Sequence, residues 1–169
     1  DLIIGAWSAN PDDRETAGET YVIFGTTTGF NRSIELSSLS GSNGFKINGI
    51  DPGDQSGANV SAAGDINGDG IDDLVIGAAS ADDGGETYVI FGNTDGFSSN
   101  IELGSLNGSN GFKLSGIHED DRSGGSVSSA GDINGDGIDD LLIGAYWADS
   151  NRTNSGETYV VFGSTTDFS

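Results

Sequence analysis

Apolar residues in this chain come in short runs walled off by Gly, Asn, Asp and Ser. Leu2-Ile3-Ile4, Leu74-Val75-Ile76 and Leu141-Leu142-Ile143 form one set; Tyr21 to Phe24, Tyr88 to Phe91 and Tyr159 to Phe162 form another. The runs are rich in β-branched and aromatic residues, and no window keeps a 3.6-residue apolar period over three turns. The pattern predicts strands in tight-turned antiparallel sheets, and no helices. Leu-Val-Ile and Tyr-Val-Ile-Phe are apolar at consecutive positions, which suits strands covered on both faces.

The runs sit inside phrases that repeat. Asp1-Leu-Ile-Ile-Gly-Ala6 returns at 73–78 and 140–145, and Glu19-Thr-Tyr-Val-Ile-Phe-Gly25 at 86–92 and 157–163. Gly41-Ser-Asn-Gly-Phe-Lys-Ile-Asn-Gly-Ile50 returns at 108–117, and Ser56 to Asp65 at 123–132. One repeat therefore holds four strands: A near 58–64, B 73–78, C 86–91 and D 111–116, with A again near 125. Four-stranded sheets in tandem predict an all-β fold of propeller blades, each covering its neighbour's apolar face. This chain holds about two and a half: a partial blade at 1–57 (B, C, D), a complete one at 58–124, and a partial one at 125–169 (A, B, C). The Gly-Ala after B and the Ser-Gly before A are small where sheets would approach closely. Ile-Glu-Leu at 34–36 and 101–103 is either a short extra strand or a loop clasp. Uncovered blade faces and open edges call for continuation in a longer chain or for self-association of copies.

Between strands A and B stands Asp-x-Asn-x-Asp-Gly-x-x-Asp, once at 65–73 and again at 132–140. Oxygen donors at alternate positions, with glycine at the sixth, are what a calcium ion needs from a short loop. The expected ligands are Asp65, Asn67, Asp69, Asp73 and the carbonyl of Ile71, then Asp132, Asn134, Asp136, Asp140 and the carbonyl of Ile138. Two Ca2+ ions are expected, one per intact loop. The twelfth position is Ile76 or Ile143 rather than Glu, and no helix flanks the loop, so an EF-hand is excluded. Three acids in one turn repel one another without a cation, so metal should stabilise the fold. Asp72 and Asp139 stand out of phase with the ligands. The bland alternative is an Asn-Gly/Asp-Gly turn with solvated acids.

These strings, with Leu-x-x-Gly-Ala and Gly-Glu-Thr-Tyr-Val-x-Phe-Gly after them, resemble FG-GAP repeats over essentially the whole chain. FG-GAP repeats build the seven-bladed propeller at the head of integrin α subunits and occur in many bacterial surface and secreted proteins. The resemblance implies a seven-bladed ring in the full protein, calcium in the A–B hairpins, ligand binding on the opposite face, and an extracellular or cell-surface location. The chain departs from the family pattern at Ser56-Gly57 and Ser123-Gly124, where Phe-Gly is expected. It departs again at Trp7, Ala79 and Tyr146, where Pro follows Gly-Ala. The Asn-, Ser-, Thr- and Gly-rich wording resembles bacterial members.

Composition narrows the partners. A net charge of −21, from 27 Asp+Glu against 6 Lys+Arg, repels nucleic acid and anionic membrane and favours divalent cations or basic partners. The absence of cysteine removes disulfide, thiolate-metal and thiol-nucleophile chemistry. No run of 18 apolar residues predicts membrane insertion. There is no Met and no signal peptide, which reads as a mature product or a fragment.

The segment between B and C varies in length, as a working loop does on a fixed scaffold. B–C and D–A turns emerge together, opposite the A–B hairpins. The candidate ligand face there holds Trp7, Arg14, His118, Asp121, Arg122, Trp147 and Arg152. His118 lacks a nucleophile signature beside it, and Asp12-Asp13 and Asp82-Asp83 read as solvated acids, so no catalytic residue is assigned. Lys46 and Lys113 hold equivalent strand positions and read as structural. The reading is a non-enzymatic, calcium-stabilised module binding an extracellular protein or glycan. Its rivals are part of a polysaccharide lyase or hydrolase, and a purely structural self-assembling repeat.

Overall fold

The computed structural model describes residues 1–82, 84–149 and 155–166. Eleven strands lie among them: β1 (Leu2–Ala6), β2 (Glu19–Ile23), β3 (Gly44–Asn48), β4 (Asn59–Gly64), β5 (Asp73–Ala78), β6 (Glu86–Ile90), β7 (Asn100–Glu102), β8 (Gly111–Ser115), β9 (Ser123–Gly131), β10 (Asp140–Ala145) and β11 (Glu157–Val161). They form three sheets, ordered β1-β2-β3-β7, β4-β5-β6-β8 and β11-β10-β9. The middle sheet is a complete antiparallel blade, strands A to D in order. The first sheet holds B, C and D of the blade before it, and the third A, B and C of the blade after it. The chain is a partial β-propeller. Among the described residues there is no α-helix, as the missing 3.6-residue period predicts. Three single 3-10 turns, at Pro11–Asp13, Leu36–Ser38 and Leu103–Ser105, are too short to leave an apolar period. No helix among the described residues is long and apolar enough to cross a membrane.

Two apolar cores lie between the blades. Val22, Phe45 and Ile47 of the first blade meet Ile76, Tyr88 and Ile90 of the second. Val75, Val89 and Phe112, from the other side of the second blade, meet Leu141 and Val161 of the third. Neighbouring residues Val75 and Ile76 thus serve opposite cores, which is why strand B reads as a continuous apolar run. Every residue of β6 is buried. The outer blades keep one open face: Leu2 is 53% exposed at one end and Phe162 55% at the other. Gly5 and Gly77 mark the closest approach between sheets. A Cβ at Gly5 would lie 1.9 Å from the Gly57 carbonyl oxygen, and one at Gly77 2.1 Å from that of Gly124.

Strands C and D are tied by a recurring polar trio. Tyr21 faces Lys46 across the strands, and both bind Glu19, the Lys46 ammonium at 2.8 Å. Tyr88, Lys113 and Glu86 repeat the arrangement in the next blade. Burial and the adjacent Glu19 carboxylate push the Tyr21 hydroxyl up to about 12.

The two Ile-Glu-Leu segments part company. Asn100–Glu102 forms β7, which runs back to the first blade and pairs in parallel with β3 through Lys46↔Asn100 and Asn48↔Glu102. Glu102 fixes it there, accepting from Arg14 Nη2 at 2.8 Å, Asn48 Nδ2 at 2.6 Å and Asn100 Nδ2 at 2.9 Å. Phe97, just upstream, stacks on Phe45 at 4.2 Å between ring centres. Residues 34–36 form no strand among the described residues, and the chain turns into the 3-10 turn at Leu36–Ser38.

Burial works to raise the Glu102 carboxyl, but donors from Arg14, Asn48 and Asn100 outweigh it and hold it below the usual range. A folded value below the unfolded one stabilises the fold above the unfolded carboxylate range, and the contribution is lost as pH falls through the folded value. Glu102→Ala should therefore lower stability by roughly 1–2 kcal/mol in urea melts at pH 7, the half-exposed pair with Arg14 being partly screened. The gap to the unchanged chain should narrow below about pH 4.

Candidate metal centre and the opposite loop face

The 65–73 loop joins β4 to β5, and its backbone folds around its own side chains. Asp65 Oδ1 accepts from Asp69 N at 2.9 Å and Oδ2 from Gly70 N at 2.8 Å. Asn67 Oδ1 accepts from Asp69 N, and Asp69 Oδ1 from Ile71 N, both at 2.9 Å. Gly68 and Gly70 take the positive φ values, 73° and 88°, that so tight a turn requires. The 132–140 loop repeats this: Asp132 receives Asp136 N at 3.0 Å and Gly137 N at 2.9 Å, Asn134 receives Asp136 N at 2.9 Å, and Asp136 receives Ile138 N at 3.0 Å. The sequence-predicted residues Asp65, Asn67 and Asp69 are thus gathered in one turn, as are Asp132, Asn134 and Asp136.

Asp73 and Asp140 sit at the base of their loops, 1% and 0% exposed. Asp73 Oδ2 accepts from Ile66 N at 3.0 Å and Oδ1 from Gly92 N at 2.8 Å. Asp140 does the same with Ile133 N and Gly163 N, each at 2.9 Å. Asp1, which opens the strand-B phrase as Asp73 and Asp140 do, receives Gly25 N at 2.7 Å. Burial pushes the Asp73 carboxyl up to about 6, against its two backbone donors and with the help of the Asp69 and Asp65 charges. This Asp-to-Gly lock joins the loop to the second residue after strand C. A Cβ at Gly92 would stand 2.5 Å from the Asp72 carbonyl oxygen and 2.6 Å from Ile71 Cγ2. Sequence reasoning assigned Asp73 and Asp140 to metal alone and missed the lock. The signal was the joint recurrence of Asp before strand B and Gly after Phe at the end of strand C.

The donor set of each loop is all oxygen, which fits a hard cation such as Ca2+ and not a thiophilic one. Among the described residues no three His, Cys, Asp or Glu side chains gather closely enough to hold an ion by themselves. A cation here would therefore need the Asn67 amide oxygen and the Ile71 carbonyl as well as the acids.

A hairpin of this kind, locked to a Phe-Gly and repeated blade after blade, has a counterpart among known families: residues 56–90 and 123–161 each match the FG-GAP repeat. The chain carries FG-GAP repeats at these two places. It is also 30% identical over 161 residues, 92% of its length, to phosphatidylinositol-glycan-specific phospholipase D of Bos taurus. It spans 18% of that relative's length.

At the other end of the FG-GAP blades the predicted face divides. Arg122, Trp147 and Asp121 come together: the Arg122 guanidinium lies 5.2 Å from the Trp147 ring centre, and Trp147 N donates to the Asp121 carbonyl at 3.3 Å. Tyr146 meets Trp147 edge-on at 5.7 Å, and both rings are exposed. Arg122 also reaches the Ser80 hydroxyl at 3.1 Å. The Asp121 side chain is buried and accepts from the backbone N of exposed His118 at 3.2 Å. Trp7, at the position equivalent to Tyr146, is half exposed. Arg14 is committed to Glu102 and the first-to-second blade clasp. Arg152 and Asp83 lie outside the described residues. Seven non-glycine residues have positive φ among those described: Asp12, Asp13, Thr16, Gln55, Asp82, Asp120 and Arg122. All stand in B–C or D–A loops of the FG-GAP blades.

Gly92→Ala should cost about 1–3 kcal/mol, because the backbone carbonyl it meets cannot give way without disturbing the loop. Denaturant melts would register the loss.

Proposed function

We propose that this chain is part of a calcium-stabilised FG-GAP propeller that recognises an extracellular protein or glycan through its B–C and D–A loops, without catalysis of its own. The observation carrying the loop assignment is backbone strain: every positive-φ non-glycine residue described lies in those loops, and strain concentrates at binding and switching sites. The exposed Tyr146–Trp147 pair with Arg122 beside it supplies stacking surface and a cation on a chain that is otherwise strongly acidic. Dependence on calcium favours an extracellular or cell-surface setting, since free calcium is scarce in cytosol. The open faces of the outer blades favour either further repeats or self-association. The likeness to a stretch of a protein named as a phospholipase D supports one variant of this reading. In that variant the blades accompany a catalytic part elsewhere in a longer chain.

Immobilised glycan and matrix-protein panels test the recognition role. Trp147→Ala and Arg122→Ala should weaken the captured ligand at least about tenfold while leaving the melting temperature close to its starting value. If every loop substitution leaves all binding unchanged, the recognition reading fails.

Calcium at about 100 times Kd should add roughly 2.7 kcal/mol per occupied loop. Chelator should lower the melting temperature accordingly, and Asp69→Ala combined with Asp136→Ala should abolish the difference. An unchanged melt in chelator would defeat the calcium assignment.

A further inference from the structure

The two cation loops touch, and one residue makes the connection. Asp139 stands between Ile138 and Asp140, two ligand positions of the 132–140 loop, yet binds across the blade boundary. Its Oδ2 accepts from Asp65 N at 3.0 Å, and its own N donates to the Asp65 carbonyl at 3.3 Å. Asp65 is the first ligand position of the 65–73 loop. Around this two-bond bridge the fit is close. A Cβ at Gly64 would fall 2.2 Å from Asp139 Oδ2, so glycine there leaves room for the carboxylate. Ser164 N donates to the Ile66 carbonyl at 2.9 Å, and Gly68 is overlaid by Thr165 and Ile138. Asp72, the counterpart of Asp139 in the earlier loop, is exposed.

We infer that Asp139 couples the two cation loops, so that occupancy of either raises the affinity of the other. The inference rests on the calcium reading above. Ordering Asp65 as a ligand fixes its N–H and C=O, and these hold both the side chain and the backbone of Asp139. Ile138 and Asp140 are covalent neighbours of Asp139, so they lose freedom before the second ion arrives. Ordering cost already met by the first ion does not recur for the second. Linkage makes the effect reciprocal. The eighth position of the string, out of phase with the ligands, thereby has a role: it addresses the preceding loop.

Calcium titrations of the whole chain by isothermal calorimetry test this in a double-mutant cycle of the unchanged chain, Asp136→Ala, Asp139→Ala and the pair. Asp136→Ala disables the 132–140 loop. With Asp139 present, that change should weaken calcium at the 65–73 loop at least about fivefold. In the Asp139→Ala background it should leave that affinity unchanged. Asp139→Asn keeps an acceptor oxygen for Asp65 N and should keep the coupling. Melts in chelator check that each variant folds. If Asp139→Ala does not fold, the unchanged chain against Asp136→Ala still decides, because an indifferent 65–73 loop overturns the coupling. Equal weakening with and without Asp139 overturns it too, and leaves the calcium reading standing. No heat of binding and no thermal shift with calcium in the unchanged chain overturns both.

Discussion

A buried carboxylate held by two backbone N–H groups sets the geometry from which the rest of each blade follows. Asp73 reaches Ile66 at the start of its loop and Gly92 at the end of strand C. Asp140 reaches Ile133 and Gly163 in the same way. A single side chain thus closes the A–B hairpin and aligns strand C beside it. An unpaired carboxylate at such a position would be costly, and the two donors offset that cost. With strands B and C fixed in register, Val75 and Ile76 point to opposite cores, and the blade acquires its two apolar faces.

The loops at the two ends of the blade are built on different physics. The 65–73 and 132–140 loops close on themselves through short, local hydrogen bonds between acids and backbone, and an ion would share oxygens already in place. The B–C and D–A loops hold strained backbone and reach residues far along the chain, as Arg122 does to Ser80 within a blade and Arg14 to Glu102 of the next repeat. Local hydrogen bonding is concentrated in the first set, and variation in length and chemistry in the second. A scaffold so divided tolerates change in its B–C and D–A loops while its sheets stay constant.

Strands were legible because each is a repeated phrase whose apolar residues are consecutive: Leu74-Val75-Ile76 announces both its type and its burial on two sides. The tight turns at 65–69 and 132–136 were legible because their hydrogen bonds are local, spanning five residues at most. Most of what escaped depended on distance. Arg14 finds Glu102 88 residues away, and no pattern near either residue announces the pairing. The strand at Asn100–Glu102 has three residues and a parallel partner in another repeat, too little for periodicity to register. Asp121 stood in a row of charged loop residues, yet it folds inward onto the His118 backbone. Asp139 differs from its neighbours only in being out of phase, and its partner lies 74 residues upstream.

The β3–β7 pairing has a consequence for how such a protein comes into being. Asn48 and Glu102 are 54 residues apart, and the strand that finishes the first blade belongs to the repeat after it. On a ribosome, that blade keeps an unpaired edge until synthesis has passed Glu102. Its hazard is therefore timed: the second repeat seals the sheet of the first, and the edge of β3 stays open on the growing chain until it does.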